Sequence, residues 1–68
     1  MSTASKKLGL NIRKIREEKS LTQGDLCRRM SVDRAFMSNL EAGKTNPTLD
    51  TIEKVAKALR TPIKNLFD

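Results

Sequence analysis

Residues 21–44, LTQGDLCRRMSVDRAFMSNLEAGK, constrain the chain more than any other stretch, because two runs of helical periodicity meet there across Ser31, Val32 and Asp33. In the first run Leu26, Cys27 and Met30 fall on one side; in the second, Met37 and Leu40 do. Spacings of three and four residues put such side chains on one face of a helix. Helices joined by so short a link cross steeply rather than run on, so the rest of the chain must close their shared apolar side.

The flanks supply that closure. Leu8, Ile12 and Ile15 recur at helical spacing, with Lys7, Arg13, Lys14 and Glu18 between them, which predicts a first helix over residues 6–19. Gly9 costs that helix roughly 1 kcal/mol relative to alanine, and Leu10 lies off its stripe. Residues 1–5 are small and polar and are expected to form a frayed arm. Thr22 and Asp25 make an acidic capping box for a second helix over residues 23–30, with Arg28 and Arg29 outward. Val32 is expected to plug the corner. Asp33 caps a third helix over residues 34–42, which buries Met37, Leu40 and, through a charge partner, Glu41. Gly43 suits the left-handed residue that ends it, and Pro47 prevents any continuation. Thr48 caps a fourth helix over residues 49–59 with the stripe Leu49, Ile52, Val55, Ala56 and Leu59. Thr61 before Pro62 starts a short fifth helix carrying Ile63, Leu66 and Phe67. No stretch alternates polar with β-branched residues. The expectation is an all-α, compact five-helix bundle forming a single domain over residues 1–68.

Composition removes several function classes. With no His and one Cys, the chain lacks the ligands of ordinary zinc clusters and cannot close a disulfide on itself. The carboxylates are spread over caps and ion-pair positions, so no acid-base or metal site emerges and no enzyme, cofactor or metal is expected. Cys27 reads as a buried packing thiol rather than a redox sensor. A lone thiol, and no apolar run near the ~18 residues of a membrane span, point to a soluble, cytoplasmic protein. The net charge of +6 admits DNA, acidic membranes or acidic proteins as partners. Its distribution is uneven: residues 1–44 hold ten Lys/Arg against five Asp/Glu, and residues 45–68 hold four against three. The excess travels with the helix pair. A membrane binder would need its apolar stripes free, whereas here the core needs them.

The third helix has the side chains for a DNA groove. Arg34, at its start, can make two parallel hydrogen bonds to guanine O6 and N7, and Ala35 can offer a methyl group to thymine. Ser38 and Asn39, one turn on, reach a base edge or a phosphate. Phe36 either presses on thymine methyls or packs against the second helix.

The ordered set Gln23, Leu26, Met37, Ser38, Leu40, Glu41, Gly43 and Lys44, with its flanking helices, resembles the Cro/repressor-type (XRE-like) helix-turn-helix family over residues 8–67. That resemblance implies the lambda-repressor-like fold and a homodimer that regulates transcription from a pseudo-palindromic operator. The segment from Asp33 to Ser38, followed by Leu40 and Glu41, looks in particular like the controller proteins of restriction-modification systems. Phage or plasmid repressors and antitoxin-type interaction modules are the alternatives. Arg34, Ala35, Ser38 and Asn39, with Phe36 if it does not pack, are the candidates to face bases; by the resemblance Gln23, Lys44, Thr45 and Asn46 face phosphates, with Thr22 and Arg16 as further candidates. It also pairs Arg16 with Glu41. Ile63, Leu66 and Phe67 are expected to join the two copies. Cys27 and Ser31 depart from the family's usual Ala and Gly; a left-handed Ser31 would cost roughly 1 kcal/mol.

Overall fold

The computed structural model describes residues 3–68, and among them every regular element is helical. Helices α1 (Thr3–Glu18), α2 (Gln23–Met30), α3 (Arg34–Glu41) and α4 (Leu49–Leu59) are followed by a 3-10 turn, Ile63–Phe67. The last element is therefore not a fifth α-helix but a short 3-10 turn of five residues, a tighter winding that proteins use in short pieces. Among the described residues no helix is long and apolar enough to cross a membrane.

The start of α1 corrects the expected arm. Thr3, Ala4 and Ser5 are helical and Ser5 is buried; Met1 and Ser2 lie outside the described residues. What recruits Ser5 is a partner on another segment, since its hydroxyl donates to the Asn46 side-chain carbonyl.

One apolar cluster joins all the elements: Leu8 and Ile12 from α1, Leu26, Cys27 and Met30 from α2, Met37 and Leu40 from α3, Ile52, Val55, Ala56 and Leu59 from α4, and Leu66. Ile15, Leu21, Val32 and Ala58 pack on its rim. Leu49, expected in the α4 stripe, is 66% exposed because it stands at the first turn, beyond the edge of the core. Leu66 corrects an expectation in the other direction. It is wholly buried, so it closes the core and offers nothing to a second copy. Asn11 secures that end by donating to the Leu66 carbonyl at 2.9 Å.

The helix starts are capped as their residues predict. Thr22 Oγ1 accepts from the Asp25 amide at 3.0 Å while Asp25 accepts from the Thr22 amide at 2.9 Å. Asp33 accepts from the Phe36 amide, and Thr48 from the Thr51 amide. All four α-helices end alike. Leu21, Val32, Lys44 and Thr61 each donate to the carbonyl five residues back, at 2.9 to 3.1 Å. The residue before each donor is left-handed: Ser20, Ser31, Gly43 and Arg60, with φ of 59°, 57°, 73° and 54°. Only one of these is glycine. The other three carry a strain of about 1–2 kcal/mol each, which the terminal hydrogen bonds and the docked helices offset. Ser31 thus takes the left-handed turn without being glycine. At Gly43 no such tolerance exists, because a β-carbon there would lie 2.6 Å from Lys6 Cα.

Candidate nucleic-acid interface

The exposed side of α3 is set by how that helix is held. Its inner side is Met37, Leu40 and Glu41, all buried, which leaves Arg34, Ala35, Phe36, Ser38 and Asn39 exposed on the outer side. Phe36 is 37% exposed and is not part of the core cluster. At the crossing of α2 and α3, the Cys27 thiol donates weakly to the Asp33 carbonyl at 3.6 Å. A small apolar side chain fits there and adds a tether that Ala would lack.

The far end of α3 is locked by charge. Arg16 Nε donates to Glu41 Oε2 at 2.7 Å and its Nη2 to Oε1 at 3.1 Å, while Nη1 donates to the Leu21 carbonyl at 2.7 Å. Gln23 Nε2 donates to the same Glu41 Oε1 at 3.0 Å. The Glu41 hydrogen bond holds the Arg16 guanidinium above its already high ordinary pKa, against the opposing effect of burial. Arg16 is therefore committed to the interior. Its guanidinium donates three of its five N–H groups within the chain and the residue is 8% exposed, so little of it is presented to a phosphate. Three helices meet in this one cluster, which ties the start of α2 to the end of α3.

α1 is the rail on which this is mounted. Ser5, Gly9, Ile12 and Arg16 recur at helical spacing on its buried side. Ser5 holds the loop after α3, Arg16 holds Glu41, and between them the backbones touch. A β-carbon at Gly9 would stand 2.5 Å from the Glu41 carbonyl oxygen and 2.6 Å from that of Leu40. From the sequence alone Gly9 is only a weak point of the helix and Ser5 part of the arm. An interior glycine between apolar helical positions was the available sign of a close crossing.

The residues expected to face phosphates fall into two groups. At the start of α2, Thr22 is exposed and Gln23 half-buried, beside first-turn amides that have no intrahelical acceptor by position. The nearby Asp25 carboxyl sits below its ordinary pKa, because the Thr22 amide and hydroxyl bond it and Arg28 and Arg29 add favourable charge. The guanidiniums of Arg28 and Arg34 lie over this turn: a β-carbon at Gly24 would be 3.5 Å from the first and 3.8 Å from the second. Arg34 thus spans from the first turn of α2 to the exposed side of α3. Beyond α3, Lys44 and Asn46 are exposed and Thr45 half-buried in the loop that Ser5 fastens. Ile63 and Phe67 are partly exposed but do not share one face. Ile63 joins Leu49, Ala56 and Pro62 around an open groove of about 540 Å³, whereas Phe67 lies by Leu8, Pro47 and Ile52.

Comparison with known proteins agrees with this geometry. Residues 12–66 match the HTH_3 family model, described as helix-turn-helix. The chain is 39% identical to control protein C.BamHI of Bacillus amyloliquefaciens over 61 residues, covering 88% of this chain and 75% of the relative. It superposes on the restriction-modification controller protein C.AhdI from Aeromonas hydrophila with a TM-score of 0.91 at 32% identity, covering 97% of this chain and all of the other. The C.Esp1396I tetramer, solved in complex with its natural 35 base-pair operator, matches with a TM-score of 0.85 at 30% identity, and both chains are fully covered. The immunity repressor of Bacillus phage phi105, 38% identical over 52 residues (76% of this chain), is a longer protein of which the chain spans 36%. With its paired helices at Gln23–Met30 and Arg34–Glu41, the chain belongs to the HTH_3 helix-turn-helix family.

Proposed function

We propose that the protein is a sequence-specific, DNA-binding transcriptional regulator of the restriction-modification controller type, acting as a homodimer on a pseudo-palindromic operator. The observation that carries this reading is the outer side of α3: five polar, small or aromatic side chains exposed together on a helix whose other side is fixed by Met37, Leu40 and the Arg16–Glu41 pair. Arg34, Ala35, Phe36, Ser38 and Asn39 read base edges, while Thr22, Gln23, Lys44, Thr45 and Asn46 set the register on phosphates.

Size favours a dimer. The backbone extends at most 26 Å, less than the roughly 34 Å between successive major grooves on one side of a duplex, so one copy cannot address two half-sites. The surface that joins the copies is the groove edged by Leu49 and Ile63, 66% and 37% exposed, where Glu53 and Lys57 supply opposite charges that a two-fold axis can pair. This reading moves the interface away from Leu66.

Selection of bound fragments from a random DNA pool tests the proposal. The expected product is an inverted repeat with half-site centres one helical turn apart. A pool that stays random after several rounds, or that converges on an asymmetric single site, contradicts it.

A further inference from the structure

We infer that Lys6, in the first turn of α1, is a phosphate-binding residue, forming with Lys44 a pair of cations that grips the DNA backbone beside the reading helix. This rests on the DNA-binding reading above. The contact at Gly43 carries it. A β-carbon on Gly43 would meet Lys6 Cα at 2.6 Å, Cγ at 2.9 Å and the Lys6 amide nitrogen at 3.0 Å, so the stem of Lys6 lies directly over the residue that precedes Lys44. The missing side chain at Gly43 lets α1 approach the loop this closely. The next contact, from the Ser5 hydroxyl to Asn46, fastens the same turn of α1 to the same loop. Lys6 is thus part of the body that presents Lys44 and not a neighbour by chance.

The charges are free to act. Lys6 and Lys44 are both exposed, and among the described residues neither has a carboxylate within ion-pairing distance. The first turn of α1 contains no acidic residue. Phosphates recur about every 3.4 Å of axis along one strand, so two ammonium groups on adjoining backbone address neighbouring phosphates. Lys14 is the contrast on the same helix. It is exposed too, but it lies by Asn65 and Asp68, at the other end of α1 from the loop.

The test compares Lys6→Gln and Lys14→Gln, which remove the same charge from the same helix, in the full chain on the selected operator as salt is varied. Both variants should keep the wild-type helical circular dichroism. Lys6→Gln should lower the slope of log affinity against log salt by about 0.9 per protomer, with about an 8-fold loss per protomer near 0.1 M salt and no change in base ranking. Lys14→Gln should change affinity less than about 2-fold. Equal effects from the two variants would overturn the assignment, as would a loss confined to particular base pairs. If the wild-type protein shows no preferred sequence, the DNA reading itself fails. If it binds its operator and Lys6→Gln binds as well as wild type at every salt concentration, only the role of Lys6 fails.

Discussion

Gly9→Ala should destabilise the fold by about 1–3 kcal/mol, although alanine is the better helix former. Propensity alone favours the change by about 1 kcal/mol, so the sign of the result decides which effect controls the position. The neighbouring atoms are the Glu41 and Leu40 carbonyl oxygens, 2.5 and 2.6 Å from where the new methyl would sit. Both belong to backbone, so no change of rotamer makes room. The last turn of α3 must move off α1 or the two helices must part. Denaturant unfolding measures the loss, and an alanine variant as stable as wild type would show that α1 and α3 do not cross at this point.

The second large effect concerns the charge cluster. Arg16→Met should cost about 3–5 kcal/mol, because it strands the Glu41 carboxylate in the interior with Gln23 as its remaining side-chain donor. For a domain whose total stability is on the order of 5–15 kcal/mol, that places the variant near the edge of folding. The double variant Arg16→Met with Glu41→Leu should recover most of the loss, since a well-packed apolar pair of similar volume removes the desolvation cost along with the attraction. DNA affinity should recover far less. The Gln23–Glu41 hydrogen bond that ties the start of α2 to the end of α3 stays broken, and the reading helix is held by packing alone. A single variant losing under about 1 kcal/mol, or a double variant that binds its operator like wild type, would contradict this division between stability and positioning.

Much of this architecture was legible in the sequence because its signals are local. Thr22 with Asp25, Asp33, Thr48 and Gly43 act within one turn of themselves, and α2, α3 and α4 begin where those residues place them. The Arg16–Glu41 pair, implied by the family resemblance, is present in bidentate form. What stayed hidden depends on the element opposite. Ser5 looks like part of a loose arm until Asn46 meets it, and Gly9 looks like a flaw until the carbonyls of α3 rest on it. Periodicity gives Leu49 and Leu66 the same apolar sign. Their fates are opposite because one stands beyond the edge of the core and the other turns back beneath α1 and α4. Arg16 shows the same limit: spacing alone reads it as a partly available arginine, and only the fold shows three of its five N–H groups spent on Glu41 and the Leu21 carbonyl.

The most direct measurement of the central claim is competition binding by an Arg34→Ala variant against a panel of operators bearing every single-base change. If α3 presents Arg34 to a base edge, the variant loses about 1–3 kcal/mol per half-site at the preferred base and becomes indifferent there, while its ranking of bases at the other positions stands. Unchanged ratios across the whole panel would mean that the outer side of α3 does not read sequence.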